Sequence, residues 1–167
     1  MFLLCTGGTI EKVYSERTGA VENLGSKVDR YLELLRLPDL EVEERRLMNK
    51  DSLDMTDEDR QMVLEAVREV LPHGAPVVIT HGTDTLVETG RYLKRALGEP
   101  AVPIVFTGAM TPLGFERSDA LQNLTESLLA VRLLPPGIYL VMHNQVFPID
   151  RVQKDRDRAE FVAASGE

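Results

Sequence analysis

The sequence predicts an α/β fold: a doubly wound, mostly parallel sheet with helices on both faces. Three observations predict it. Short apolar runs alternate with stretches of helical spacing along the chain. The runs are apolar throughout, as expected of strands buried on both faces of a parallel sheet. Several run directly into Thr-Gly or His-Gly turns, which suits strands whose C-terminal ends face a ligand.

Each element can be read in order. Phe2-Leu3-Leu4-Cys5 is a buried strand ending at Thr6-Gly7-Gly8. Residues 26–37 place Val28, Tyr31, Leu32, Leu34 and Leu35 at helical spacing. Residues 40–47 alternate weakly and read as a strand. A helix then starts at Thr56, a good N-cap, with Asp57, Glu58 and Asp59 at the positive end of its dipole. Its expected buried face is Met62, Val63, Ala66, Val67 and Val70. Residues 76–80 form a strand, 85–97 a helix and 102–106 a strand. A long helix is expected over 117–134, opening at Ser118-Asp119. Strands follow at 138–142 and 146–147, and the charged run 155–160 reads as a solvated helix face. Right-handed crossovers would wind these units into the three-layer sandwich of Rossmann-like and flavodoxin-like folds.

Composition narrows the function classes. At ~150 residues per domain, 167 residues make one domain. Such a chain buries roughly 70% of its unfolded surface and needs no disulfide or metal to fold. Hydrophobic residues make up 43% and charged residues 28%, as in average soluble globular proteins. There are 19 Lys and Arg against 27 Asp and Glu, a net charge of −8. That surface repels phosphate backbones, so neither nucleic acid nor an anionic membrane is the expected partner. No apolar run approaches the ~18–20 residues of a membrane span. The first residues show no basic leader, and the one cysteine, Cys5, excludes a disulfide framework and reads as a small buried hydrophobe. The cytoplasm is the expected location.

Chemistry is expected at the exit turns. In Thr6-Gly7-Gly8-Thr9-Ile10, two glycines permit close backbone approach and could present N–H groups to an oxyanion. The flanking hydroxyls could act as a nucleophile; a plain tight turn is the alternative. The run is neither a P-loop nor a dinucleotide fingerprint. In Thr80-His81-Gly82-Thr83-Asp84-Thr85, four polar side chains (His81, Thr83, Asp84 and Thr85) follow a buried strand that ends at Thr80. Asp84 could cap the next helix, bind an ammonium or orient a lysine, and His81 could partner it. Lys154, after the last strand, is either a solvated charge or a base held near the sheet edge. His73 reads as solvent-facing and His143 ends a strand. No pair of histidines has metal-ligand spacing, so no catalytic metal is expected.

Taken together, these pieces are more specific than any one of them. Thr-Gly-Gly-Thr-Ile at 6–10, Asp-Ser-Leu-Asp-Met-Thr at 51–56, Ile-Thr-His-Gly-Thr-Asp-Thr at 79–85 and Thr-Gly-Ala-Met at 107–110 occur in order. Ser118-Asp119-Ala120 with Asn123-Leu124, then Arg151 to Lys154, follow. From about residue 2 to about 165 the chain resembles the bacterial-type L-asparaginase/glutaminase family, which includes one component of an archaeal tRNA amidotransferase. The resemblance implies hydrolysis of a small amide such as L-asparagine to a carboxylate and ammonia, without a cofactor. It implies Thr9 as nucleophile and Thr83, Asp84 and Lys154 as the activating constellation. Ser52 would bind the substrate carboxylate, Asp84 its ammonium, and Ala109 would offer a carbonyl near the amide nitrogen. Gly8, Leu53 and Gly82 complete the implied substrate-binding set.

Three features depart from the family. Its enzymes run to about twice this length, so residues 1–167 are expected to be a single domain of the N-terminal type, with the C-terminal domain absent. An amide residue commonly follows the carboxylate-binding serine, where this chain has Leu53. The family's loop tyrosine has one candidate, Tyr14, which either serves the site or packs structurally. The missing domain would expose an apolar face, so a homodimer or larger homo-oligomer is expected. Two alternatives to an active amidohydrolase follow. One is a weakly active or inactive small-ligand-binding module, and the other is an amidase subunit that needs a partner.

Overall fold

The computed structural model describes residues 1–25 and 27–164; the first residue of the helix expected over 26–37 lies outside them. Strand β1 (Phe2–Gly7) opens the chain, followed by a small hairpin, β2 (Val13–Tyr14) and β3 (Val21–Glu22). Then come α1 (Val28–Leu34), β4 (Glu43–Lys50), α2 (Asp57–Val70), β5 (Val77–Thr80), α3 (Leu86–Leu97), β6 (Pro103–Thr107), α4 (Ala120–Ala130) and β7 (Gly137–Met142). The last strands are β8 (Gln145–Pro148), β9 (Val152–Asp155) and β10 (Glu160–Ala163).

The central sheet runs β4-β1-β5-β6-β7-β8, its first five strands parallel and β8 antiparallel to β7. The chain reverses its direction of travel across the sheet between β1 and β5. That is the switch point where doubly wound folds leave a crevice at the strand C-termini. The two exit turns rich in Thr and Gly leave β1 and β5, so they flank this crevice.

Strict alternation divides the core into two layers. Phe2, Leu4, Ile79, Ile104, Phe106 and Leu140 face α2 and α3. Leu3, Cys5, Val78, Val105 and Val141 face α1 and α4. Cys5 is fully buried, and desolvation pushes its thiol pKa far up, so it behaves as a small hydrophobe. The α2 start is a full capping box between Thr56 and Asp59.

The crossovers do not share one hand. The unit β1–α1–β4 steps one way along the sheet with its helix on the α1/α4 layer. Units β4–α2–β5 and β5–α3–β6 step the other way with helices on the opposite layer, and reversing both leaves the hand unchanged. Unit β6–α4–β7 keeps their direction but puts its helix on the α1 side, so its hand is opposite to the other three. The expected uniform right-handed winding fails at this unit.

Other differences have local causes. The run 155–160 is not helical: it is the turn between β9 and β10, with Ala159 at φ 51. Alternating charges that could line a helix here line an exposed hairpin. The helix expected from 117 starts at Ala120, because Ser118 and Asp119 are held by the preceding loop. Met62, expected in the core, is 46% exposed, and Leu64 takes the inward position. The β2–β3 hairpin lies in a stretch too short and polar to read.

Residues 149–164 return across the sheet and pack on α3. Fully buried Ile149 seats on Gly90 of α3, where a Cβ would lie 2.4 Å from its Cγ1. Ile149→Ala is expected to lower stability by about 2–5 kcal/mol, the range for a truncated core aliphatic. The shift in urea midpoint at unchanged m-value measures it.

Candidate active site

Four loops meet beyond the strand C-termini, and glycines set how closely. A Cβ on Gly8 (φ +77) would lie 2.3 Å from the Gly82 nitrogen and 2.4 Å from its Cα. A Cβ on Gly82 would lie 2.5 Å from Ser52 Oγ, and one on Gly108 2.4 Å from the His81 carbonyl oxygen. No other residue fits at these three positions without moving a backbone or a buried side chain. The half-buried Thr9 and the buried Thr83 follow directly on two of these glycines. Hydrogen bonds reinforce the stack: Thr6 Oγ1 donates to the Thr80 carbonyl at 2.8 Å, and Thr85 Oγ1 to the Ser52 carbonyl at 2.8 Å.

Sequence reasoning misses Glu11. Its buried carboxylate accepts from Gly7 N–H at 3.2 Å and from Thr80 Oγ1 at 3.0 Å, bracketing the two exit turns. Gly8 N–H donates to the Lys50 carbonyl at 2.8 Å. The N–H groups of Gly7 and Gly8, expected to face an oxyanion, are therefore committed within the fold. The one signal for Glu11 is a lone acid directly after an apolar strand and turn.

Lys154 Nζ donates to Thr83 Oγ1 at 2.7 Å and to Asp84 Oδ1 at 3.0 Å. About seventy residues of chain separate lysine and aspartate, and both are mostly buried. Arg156 Nη1 also reaches Asp84 Oδ1, at 2.9 Å. Its role escapes sequence reasoning because alternating charge over 155–160 reads as a solvated helix.

Ser52 is buried against Gly82. Leu53 is 64% exposed. Asp51 precedes them and caps their turn, accepting from Lys12 Nζ at 2.6 Å and Leu53 N–H at 3.1 Å. Those two bonds hold its pKa below the ordinary value. Tyr14 lies exposed on the β2–β3 hairpin. Just beyond that hairpin, Asn23 Nδ2 donates to the Gly8 carbonyl at 3.0 Å. Ala109 is fully buried in the turn after β6. Asp119 accepts from the next two N–H groups, Met110 at 3.0 Å and Thr111 at 2.9 Å, and from His143 Nε2 at 2.8 Å. Burial pushes the Asp119 pKa up, but these donors outweigh it and leave it lowered.

Residues 1–161 match the family model described as Asparaginase, N-terminal. The chain belongs to the asparaginase family. It is similar to an L-asparaginase of Thermococcus kodakarensis, 32% identical over 154 residues, spanning 92% of this chain and 47% of that protein. The structure titled as the thermostable L-asparaginase from that organism superposes with a TM-score of 0.87 at 32% identity, covering 97% of this chain and 50% of that one. A Glutamyl-tRNA(Gln) amidotransferase subunit of Methanococcus vannielii is 33% identical over 146 residues, 86% of this chain and 34% of that protein. The chain thus spans half or less of the length of these relatives. Among the described residues, no helix is long and apolar enough to cross a membrane.

His81 does not partner Asp84. It is wholly buried, and its Nδ1–H donates to the Gly82 carbonyl at 2.8 Å. A carbonyl only accepts, so this bond fixes the Nδ1–H tautomer. Desolvation and the nearby Arg60 lower its pKa to about 4. The folded protein therefore keeps His81 neutral while the unfolded chain protonates near 6.5. Stability is complete above pH 6.5 and falls as pH drops from 6.5 towards 4, by up to about 3 kcal/mol. Urea titrations between pH 7 and 4.5 measure this slope, and His81→Asn is expected to flatten it.

Proposed function

We propose that this asparaginase-family chain is an amidohydrolase that cleaves L-asparagine or a similar small amide to a carboxylate and ammonia. The observation that carries the reading is the Lys154–Thr83–Asp84 constellation, assembled beside the Gly8–Gly82 contact in a chain of this family. Thr9 is the nucleophile. Its oxygen bonds to the amide carbonyl carbon while its proton is taken up by the site base. The nitrogen leaves as ammonia after gaining a proton, and water then cleaves the acyl-threonine to the carboxylate. Lys154 is the base, working through the Thr83 hydroxyl 2.7 Å away, and Asp84 orients it. The same constellation would serve a directly activated water.

Ser52, with Gly8 and Gly82, forms the floor on which the substrate lies, and the Ala109 turn faces the leaving nitrogen. Leu53 supplies no polar group to that floor. Tyr14 covers the site from its hairpin, which the Asn23 bond to the Gly8 carbonyl supports. The protein acts in the cytoplasm as a homo-oligomer. An apolar patch of Leu129, Leu133 and Val146 beside the edge strand β8 supports the association. Similarity to the tRNA amidotransferase component favours a second reading, an amidase subunit whose activity needs a partner.

Ammonia release from L-asparagine, L-glutamine and other small amides tests the proposal. Wild type is expected to turn over at least one of them and Thr9→Ala none. Lys154→Met should lose about a hundredfold to ten-thousandfold in kcat, the size of a general-base contribution. Undiminished activity in Thr9→Ala would overturn the assignment of the nucleophile. Activity only after adding a partner protein would favour the second reading.

A further inference from the structure

Beside Thr83 and Lys154, a cleft of about 430 Å³ opens between α3 and β9. Its charged lining is Arg91, Arg95, Lys154 and Arg156 against Asp84 and Glu88. The excess is positive in a chain whose net charge is −8. Both acids are already ion-paired. Asp84 Oδ1 accepts from Lys154 at 3.0 Å and from Arg156 at 2.9 Å. Glu88 is paired with Arg60, outside the cleft, at 3.1 Å. Arg91 is oriented by donating to the Val152 carbonyl at 3.0 Å. Arg95 makes no ion pair among the described residues.

We infer that this cleft seats a carboxylate of the substrate, and that the preferred substrates are amides bearing a carboxylate but no α-ammonium. The inference rests on the amidohydrolase reading for its reaction, and on the cleft alone for its ligand. An ammonium group approaching Asp84 meets two cations already on the same carboxylate oxygen. A carboxylate entering the cleft meets Arg95 and Arg156, the more exposed of the four cations, and is steered by a local field opposite to the rest of the surface. Arg156 therefore sets specificity through Asp84: it fills the place an α-ammonium would take.

L-Asparagine and succinamate decide the point, because they share amide and carboxylate and differ in the ammonium alone. Wild type is expected to favour succinamate in kcat/KM by at least about threefold, the scale of one exposed ion pair. Arg156→Gln should shift that ratio back towards L-asparagine. The double variant Arg95→Gln/Arg156→Gln should weaken succinate binding about tenfold in calorimetry, as should high salt in wild type. Arg132→Gln, a surface arginine on α4's side of the sheet, should change neither. A wild-type preference for L-asparagine that Arg156→Gln leaves unmoved would overturn the inference, as would succinate binding indifferent to the double variant. Should neither amide be hydrolysed, the amidohydrolase reading falls, and succinate binding still decides the cleft.

Discussion

Backbone contact between Gly8 and Gly82 is the constraint on which the rest of the site depends. Two strands adjacent in a parallel sheet diverge into separate crossovers, and their exit turns normally separate with them. Here both turns lack a Cβ at the point of meeting, so they stay in contact beyond the sheet. Ser52 closes on the same point from the β4 side, and Gly108 brings in the β6 turn. Thr9 and Thr83 inherit their positions from this stack. Glu11 holds it from beneath, its carboxylate shared between a β1 amide and a β5 hydroxyl. Hydroxyl chemistry needs such precision, since displacement of a reacting group by about an ångström can cost a hundredfold in rate.

Charge is organised around the stack in two ways. His81 is kept neutral within it, its ring proton committed to the Gly82 carbonyl. A charged imidazolium there would be buried without a counter-ion, which the apolar surroundings and Arg60 disfavour. At the rim, by contrast, cations accumulate on Asp84. His81 thus adds no charge to the interior of the site, while its mouth is basic. That separation lets the mouth carry positive charge without a buried imidazolium behind it.

The parts of this arrangement legible in sequence are those with strong local signals. Apolar runs such as 77–80 and 103–107 announce the buried strands, and Thr56 with Asp59 announces the start of α2. The exit turns are legible because strand ends and Gly-Thr pairs coincide. The Lys154–Thr83–Asp84 grouping comes from the family resemblance, since nothing local links positions about seventy residues apart. Arg156 and the β9–β10 hairpin are misread because alternating charge fits an exposed helix and an exposed strand alike. Glu11 is missed because its burial depends on Thr80 closing over it. The opposite hand of β6–α4–β7 leaves no mark in sequence, because helix and strands look the same whichever face the helix takes.

That reversed crossover has a consequence for the order in which these elements come together. Had α4 packed on the α3 side, it would have competed for the ground next to α3 where residues 149–164 lie. By crossing to the far layer, it leaves that ground open for the β9–β10 hairpin, which carries Lys154 back to Thr83. The sheet can assemble from the residues up to Pro148, with every parallel strand in place, before the lysine has a seat. During synthesis the hydroxyl cluster would therefore form before Lys154 reaches it. The Lys154–Thr83–Asp84 grouping would assemble only when residues 149–164 leave the ribosome and dock.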